Sequence, residues 1–320
     1  MAPTAGCLPL RHPRLSASLA GRIAALPPPI IVFNKSHSGS RLLAELLRGQ
    51  GIFIGSVLNE SLDALPFVPL VEHVVLEHYP DFSGLWRDAT WPAAIQRLLA
   101  EALEAHLAEH APGAPWGWKL CETTFVLPLL APIFPGARFI HLLRDGRDVA
   151  FSDHVAPEQA FWRKVYFGTD AVRSWRGMRL DHAAYERHNH LFNAWHWQEC
   201  VRLGRAFGSM LGPAYREVRY EQLCADPVEQ ARSLLAWLGQ DGDETALATL
   251  AERVDSRSIG KHRTRPRAQQ RAVQALIEPT LLACGYACDP LPPSRVNTVR
   301  ALAQRLRRGV ARRLAGDPLA

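Results

Sequence analysis

Two short apolar runs, each followed by small polar or charged residues, organise the first half of the chain. The run Ile30-Ile31-Val32-Phe33 is mostly β-branched, follows three prolines, and precedes a polar turn and apolar residues at helical spacing over 42–47. The run over residues 137–143 ends at Arg144 and is also followed by a short helical pattern. Each segment predicts a strand, a tight turn and a helix. In open α/β sheets, such turns bind ligands at the carboxyl ends of the strands.

Helical periodicity fills much of the remaining sequence. Residues 62–111 read as helical, with Trp91-Pro92 opening a long amphipathic segment through His110. Residues 228–238 predict a helix ended by Gly239, and residues 244–254 predict another. Together with the strands, these patterns predict an α/β domain with a parallel sheet.

The first turn has the features of an anion site. Backbone N–H groups at a helix N-terminus and the helix dipole favour a phosphate or sulfate. Gly39 lets the backbone approach such a group closely, and the hydroxyls of Ser36, Ser38 and Ser40 add further donors. An ordinary serine-capped helix start is the alternative for this segment taken alone.

The second turn adds a cationic group at a strand end. Arg144 offers a rigid fork of donors suited to a phosphate, and Ser152 lies further along the predicted helix, where it can add a hydroxyl. Asp145, Arg147 and Asp148 have a milder explanation, as a helix cap and an ion-pair network that orients Arg144.

At these residues the chain resembles the sulfotransferases that use 3′-phosphoadenosine 5′-phosphosulfate (PAPS). In that family a Ser-Gly-Ser/Thr turn cradles the 5′-phosphosulfate, and an Arg-x-x-Arg-Asp-x-x-x-Ser segment holds the 3′-phosphate through its first Arg and its Ser. The matching residues here are Ser38-Gly39-Ser40, Arg144 and Ser152. The resemblance implies a three-layer α/β sandwich with a central parallel sheet, the P-loop-like sulfotransferase architecture, over residues 29–290. It also implies PAPS as co-substrate and no metal.

Two later segments continue the resemblance in family order. Residues 215–223 resemble a Tyr-Glu-Asp-Leu segment whose tyrosine, here Tyr220, lies near the adenine. Residues 258–263 are similar to a basic loop that closes over the 3′-phosphate, which here offers Lys261 and Arg263. Several motifs in one order are a far more specific signal than a single motif.

The first loop departs from the family pattern at one position. His37 stands where most members carry a Lys or Arg that stabilises the departing bridging oxygen. Three cations are candidates for that role: Lys35, His37 as imidazolium, and Arg41. Together with Ser36, they belong to the predicted cofactor loop.

The acceptor hydroxyl or amine needs a general base within hydrogen-bond reach. Glu60 lies in residues 55–63, a segment in which tyrosylprotein and bacterial glycolipid sulfotransferases place a catalytic Glu. Asp63 and Glu122 are the other candidates. The sequence predicts that Glu60→Gln lowers kcat strongly and leaves cofactor affinity nearly intact. Unchanged turnover in that variant would move the role to Glu122 or Asp63.

Composition agrees with this interpretation without selecting it. The 320 residues are 48% hydrophobic, which suits one soluble α/β domain with insertions. A net charge of +6 and a pI near 9.2 suit an anionic cofactor, nucleic acid or an anionic membrane surface alike. No window approaches the length needed to cross a bilayer. Six scattered cysteines without a zinc or redox spacing are expected to be reduced, which predicts a cytoplasmic protein.

One segment resembles a metal site. Residues 106–110 fit the His-x-x-Glu-His pattern of one metalloprotease group, at the end of a predicted helix and without an obvious third ligand. A solvated helix face is the expected explanation, because short motifs match by chance.

The two ends of the chain differ from its centre. Residues 1–28 carry arginines among short apolar pieces, without the continuous core of a signal peptide, and predict a loosely ordered leader. Residues 291–320 follow a proline cluster and contain a basic amphipathic segment, 296–314. Packing on the domain, docking on a partner and peripheral contact with an anionic membrane are the alternatives for this segment, and packing or a solvated tail is the default expectation.

Taken together, the sequence predicts sulfuryl transfer to a hydroxyl or amine of a carbohydrate, lipid or small molecule, with no nucleic-acid partner. Residues 155–212 are rich in aromatic and basic side chains that suit such an acceptor. A nucleotide-dependent kinase is one alternative, but the Gly-Lys-Ser/Thr ending of a Walker loop is absent and Arg41-Leu42 stands instead. A binding protein of the same fold that has lost turnover is the other, and the atypical His37 is compatible with it.

Overall fold

Parallel strands form the central sheet of the molecule. The computed structural model describes residues 17–79, 91–152 and 182–290, and the backbone of residues 174–175 and 178–179. The strands are β1 (Ile30–Phe33), β2 (Gly117–Lys119), β3 (Arg138–Leu143), β4 (Ser174–Trp175), β5 (Met178–Arg179) and β6 (Tyr215–Arg219). The sheet has the order β2-β1-β3-β6, and β4 pairs with β5 separately. Because all neighbours in the sheet are parallel, their carboxyl ends lie at one edge.

Helices connect and cover these strands. They are α1 (Ala17–Ala24), α2 (Ser40–Gly49), α3 (Val68–His78), α4 (Ala93–His106), α5 (Leu127–Leu130), α6 (Gly146–Ala150), α7 (His182–Leu211), α8 (Tyr220–Ala225), α9 (Pro227–Leu238), α10 (Glu244–Arg253) and α11 (Arg267–Ala283). Short 3₁₀ turns include Cys121–Phe125, Ser256–Ser258 and Lys261–Thr264.

Alternate residues of β1 face opposite sides of the sheet. Ile31 and Phe33 pack in a core with α3, α4 and the Cys121–Phe125 turn. Ile30 and Val32 pack in a second core with α2, α9 and α10. Helices therefore cover both faces, and the predicted three-layer α/β sandwich with a central parallel sheet is confirmed. Strands buried on both faces have continuous apolar sequences, which is why these two runs could be recognised.

Helix α7 crosses the sheet against the direction of β3. Gly204 lies so close to the ring of His141, in the middle of β3, that a Cβ would stand 2.6 Å from that ring. About two turns earlier in α7, the indole Nε1 of Trp197 donates to the carbonyl of Arg144 at 3.0 Å. Arg144 lies just past the end of β3. The amino-terminal part of α7 is thereby carried to the edge where the strands end.

Two segments differ from the sequence prediction. The helical stretch predicted over residues 62–111 is divided: α3 ends at His78, residues 80–90 lie outside the described part, and α4 begins at Ala93. Within the leader predicted over 1–28, residues 17–24 form α1, and its Leu19 is buried in the core. The two ends, 1–16 and 291–320, lie outside the described residues. Among the described helices, none combines the length and apolar character needed to cross a membrane.

Candidate active site

The turn between β1 and α2 leaves the start of α2 open to a ligand. Gly39, the residue before the helix, has a φ of 91° and no side chain to cap the first N–H groups. The carbonyl of Lys35 accepts from the backbone N–H and the hydroxyl of Ser38, at 3.2 and 2.6 Å, and from the amide of Asn34. These bonds fix the turn. The N–H of Leu42 donates to the carbonyl of Gly39 at 3.1 Å, so the N–H groups of Ser40 and Arg41 are the first-turn donors of α2 that suit an anion.

Arg144 and Tyr220 join this turn to the later motifs. The ring of Tyr220 covers Gly39, where a Cβ would stand 2.3 Å from the ring. The guanidinium of Arg144 lies over the same ring, 4.7 Å from its centroid. It donates to the carbonyl of His37 at 3.1 Å and to that of Ser258 at 2.6 Å. The structure thus brings together the first loop, the strand-end arginine, the tyrosine segment and the basic loop.

A buried carboxylate holds the basic loop in place. Asp148, on α6, accepts from the N–H groups of Gly260 and His262 at 2.7 and 3.0 Å, and the Nδ1 of His262 lies 2.6 Å away. Burial alone would raise the pKa of Asp148, but the bonds from His262 and Gly260 hold it below its usual value. The loop so placed carries Lys261, whose Nζ donates to the hydroxyl of Ser152 at 2.6 Å.

The network predicted around Arg144 is present only in part. Asp145 caps α6 by accepting from the N–H of Arg147 at 2.9 Å, and the two side chains form an ion pair of 2.7 Å. Arg144 itself is oriented by two carbonyl groups from separate loops. Asp148 orients the basic loop instead, a role that only the folded chain shows.

Lys35 and Glu122 lie at the carboxyl ends of neighbouring strands and interact electrostatically. Lys35 is buried, and this burial lowers the pKa of its ammonium to about 8, although Glu122 acts to raise it. Burial and the charge of Asp63 raise the pKa of Glu122 to about 7, although Lys35 acts to lower it. The Nζ of Lys35 also donates to the hydroxyl of Ser36 at 2.7 Å. Near neutral pH this pair supplies both a carboxylate that can accept a proton and a cation.

The other two cation candidates have different surroundings. Arg41 is exposed on α2 and forms an ion pair with Glu45 at 3.0 Å. His37 is exposed, and its backbone has a φ of 67°. Of the three cations, Lys35 is therefore the one that the fold buries, and it interacts electrostatically with Glu122.

The remaining carboxylate candidates lie on one anchored turn. Asp63 pairs with Lys119 at 2.8 Å and accepts from the N–H of Cys121 at 3.3 Å. The ammonium of Lys119 also donates to the carbonyl of Ser61 at 2.9 Å. Glu60 stands on this turn with its side chain exposed. Asp63 thus has a positioning role that occupies it, whereas Glu60 faces solvent at the edge of the site.

The His-x-x-Glu-His segment is solvated at Glu109, which is exposed, but the expectation of a solvated face is wrong for His106. Its side chain is 1% exposed, its Nε2 lies 2.9 Å from the carbonyl of Gly117, and burial lowers its pKa to about 4. The Nε2 of His110 lies 2.9 Å from the carbonyl of Ala114. Within the described residues, no cluster of three or more His, Cys, Asp or Glu side chains is placed to hold a metal ion.

Arg263 lines a cavity of about 500 Å³ together with Gly260, Arg219 and Tyr286. Lys261, two residues earlier on the same loop, donates to Ser152. A contact of Arg263 with the 3′-phosphate stays a prediction.

Sequence analysis missed the contribution of α7. His196 and Cys200 are buried on this helix, and both interact electrostatically with Lys35. Burial, with a smaller effect of Lys35, places the pKa of His196 well below its usual value. Their helical spacing is that of ordinary core residues, so no pattern in the sequence distinguished them.

Comparison with known proteins identifies the family. The family model described as "Sulfotransferase family" matches residues 29–244, more than half of the chain. No curated protein matches the sequence.

Three solved structures are similar to this chain. The sulfotransferase domain of the Synechococcus PCC 7002 olefin synthase is 20% identical, covers 91% of this chain and 99% of its own, and has a TM-score of 0.48. The sulfotransferase domain from the curacin biosynthetic pathway is 15% identical, with 82% and 99% covered and a TM-score of 0.47. Mouse sulfotransferase SULT7A1, complexed with PAP, is 13% identical, with 83% and 90% covered and a TM-score of 0.45. These similarities are too low to add to the family match. That match shows that the chain belongs to the sulfotransferase family.

Proposed function

We propose that this chain transfers the sulfuryl group of PAPS to a hydroxyl or amine of an acceptor. The observation that carries the proposal is the meeting of two anion-binding features at one edge of the sheet. The open start of α2 adjoins Gly39, and the guanidinium of Arg144 lies over Tyr220, whose ring covers that glycine. Two such features in contact with one aromatic ring suit a nucleotide with phosphate groups at both ends of its ribose.

The residues present fit this cofactor. Arg144 is buried, and its Nε has no hydrogen-bond partner within the described residues. A buried guanidinium N–H without an acceptor is costly unless a ligand supplies one. Lys261 and Ser152 lie together and would hold the 3′-phosphate with Arg144, as the family resemblance implies. When bound, PAPS would supply the activated sulfuryl group.

Lys35 and Glu122 suit the two roles that sulfuryl transfer requires. Ionised Glu122 would accept the proton that the acceptor hydroxyl loses as its oxygen attacks sulfur. Protonated Lys35 would stabilise the negative charge left on the donor phosphate. Both side chains lie at strand ends beside the start of α2. The buried surroundings strengthen both effects, because charge is less screened away from water.

The proposal is tested first by binding and then by turnover. Isothermal titration should show that adenosine 3′,5′-bisphosphate (PAP) binds and that AMP, which lacks the 3′-phosphate, binds more weakly. Sulfur-labelled PAPS should then yield labelled product from a panel of alcohols, phenols, amines and glycosides. Binding of Mg-ATP with phosphate transfer would indicate a kinase instead. Binding of PAP without any product would indicate a protein that has lost turnover.

Location and membrane contact are part of the same proposal. Cys121, Cys200, Cys224, Cys284 and Cys288 are free thiols, as in proteins kept under reducing conditions. We expect a cytoplasmic enzyme. The basic segment 296–314 lies outside the described residues, and we propose that it contacts anionic membranes. Sedimentation with anionic liposomes should separate the full chain, which binds, from a chain ending at Pro290, which does not.

A further inference from the structure

One buried amide on α7 has no hydrogen-bond partner in the part of the chain that the structure describes. Asn193 is 0% exposed, and neither its Oδ1 nor its Nδ2 is paired within the described residues. Asn34 and His141 also leave a buried atom unpaired, but each bonds through another side-chain atom. A buried amide whose oxygen and nitrogen both lack hydrogen bonds is rare in native proteins. Each of these atoms loses its hydration on folding without gaining a partner.

The spacing along α7 places Asn193 on the side of Lys35. Asn193 precedes His196 by three residues and Cys200 by seven, so the three share one helical face. His196 and Cys200 both interact electrostatically with Lys35. The face that carries Asn193 is therefore turned toward the end of β1, where Lys35 lies.

Contacts of residues before and after Asn193 on α7 fix its position along the helix relative to the carboxyl edge of the sheet. Four residues later, Trp197 bonds the carbonyl of Arg144, just past the end of β3. Three residues earlier, the ring of His190 stacks on Phe151, after α6, with centroids 5.5 Å apart. With a rise of 1.5 Å per residue, Asn193 lies about 6 Å beyond Trp197 along the helix. It therefore stands past the carboxyl edge of the sheet, where ligands of parallel sheets bind.

We propose that Asn193 binds the acceptor through a polar group adjacent to the one that receives the sulfuryl group. This inference rests on the proposed function and adds the class of acceptor. A primary amide offers N–H donors and a carbonyl acceptor side by side. A second hydroxyl next to the reacting one satisfies both, because a hydroxyl donates and accepts. The acceptor is a vicinal diol, as in carbohydrates, and not an alcohol with a single polar group.

A pair of variants separates this role from a structural one. Asn193→Leu removes an amide that has no partner, so the melting temperature should stay the same or rise by about 1–3 °C. Gln274→Leu is the matched control, because its buried amide donates to the carbonyl of Asp289 at 2.5 Å and to Glu278 at 3.3 Å. That control should melt lower than the wild type. PAP affinity, measured by titration, should be unchanged in both variants.

Matched acceptors test the class of substrate. The probes are pairs that differ by one neighbouring hydroxyl: catechol and phenol, vicinal cyclohexanediol and cyclohexanol, and methyl glucoside and its 2-deoxy analogue. The wild type should prefer the diol of a pair by at least about 100-fold in kcat/KM. Asn193→Leu should remove most of that preference and leave the single-hydroxyl rates nearly unchanged.

Each other outcome counts against the inference. Equal rates for both members of every pair in the wild type would overturn it and leave the proposed function standing. So would an equal loss on both members in Asn193→Leu, or a fall in melting temperature as large as that of Gln274→Leu. No labelled product from any probe would count against the proposed function, and this inference would fall with it.

Discussion

The two halves of the candidate site are built in opposite ways. Around the predicted 3′-phosphate, buried groups have partners: Asp148 accepts two backbone bonds and faces His262, and Arg144 donates to two carbonyls. On the acceptor side, burial displaces the pKa values of Lys35 and Glu122, and Asn193 has no partner within the described residues. Within the described residues, the first half is largely paired and leaves the Nε of Arg144 for a ligand, whereas the second half has displaced pKa values and an unpaired buried amide.

This difference corresponds to two different tasks. A rigid, hydrogen-bonded frame binds a fixed anion without reorganisation, which keeps the entropic cost of binding low. A site that moves a proton needs groups whose charged and neutral forms are close in free energy, and burial produces that closeness. We therefore expect changes in the first half to alter cofactor affinity and changes in the second half to alter turnover.

The largest expected effect is on turnover. Glu122→Gln should lower kcat by about 10²- to 10⁴-fold, because a carboxamide cannot accept the acceptor's proton. Affinity for PAP should change little, because Glu122 lies outside the predicted phosphate contacts. Steady-state transfer from labelled PAPS at saturating acceptor measures kcat, and isothermal titration with PAP measures the affinity.

Glu60→Gln is the matched control for that variant. Glu60 is the residue that the sequence favoured, but its exposed position leads us to expect near wild-type kcat. A strong loss in Glu60→Gln with normal turnover in Glu122→Gln would return the role of base to Glu60. Equal losses of kcat in both variants would mean that neither carboxylate alone acts as the general base.

The next effect is on affinity. Arg144→Ala should weaken PAP binding by at least about 1.5–3 kcal/mol, the usual value of a hydrogen bond to a charged group. This corresponds to roughly 10- to 150-fold in Kd by titration. Arg41→Ala removes an exposed arginine that pairs with Glu45 and should bind PAP as the wild type does. Equal affinity of Arg144→Ala and wild type would show that the 3′-phosphate lies elsewhere.

A smaller loss is expected when the basic loop is released. Asp148→Asn keeps the shape of the side chain but removes the charge that faces His262, so the KM for PAPS should rise by about 10-fold with a smaller change in kcat. Hydrogen exchange of residues 258–263 should become faster. Asp255→Asn, which removes an exposed pair with Arg257, is the control and should leave both unchanged. A normal KM with unchanged exchange would show that Asp148 does not position the loop.

The sign of the pH effect on this carboxylate follows from its lowered pKa. Asp148 is ionised and bonded above the pKa that it has in the unfolded chain. Its contribution to stability is present there and is lost as the pH falls through its lower, folded value. The loop should therefore detach only in acid, and acid melting curves of wild type and Asp148→Asn should converge.

The sequence predicted the turns that follow β1 and β3 better than it predicted the arrangement of the buried groups on the proposed acceptor side. The runs at β1 and β3 and the turns after them are local patterns, so the turn before α2 and Arg144 at the end of β3 could be found from composition and order. The interaction of Lys35 with Glu122 depends on the pairing of β1 with β2, and this pairing joins residues that are far apart in the chain. No local pattern encodes that pairing. Asn193 carries no sequence signal at all, because only the fold shows that its amide is buried and unpaired among the described residues.

The smallest expected effect is on the shape of the pH profile of kcat/KM. This profile tests most directly whether the two halves of the candidate site act separately. In the proposed mechanism, turnover uses ionised Glu122, which is favoured above a pH of about 7, and protonated Lys35, which is favoured below a pH of about 8. The kcat/KM of the wild type should therefore form a narrow bell between these values, since this ratio reports groups of the free enzyme. Because the charge of Glu122 raises the pKa of Lys35, Glu122→Gln should lose the acidic limb and move the alkaline limb to lower pH. Arg144→Ala should keep both limbs while its KM rises. A bell that moves in Arg144→Ala, or that keeps its acidic limb in Glu122→Gln, would show that the two halves of the site are not independent.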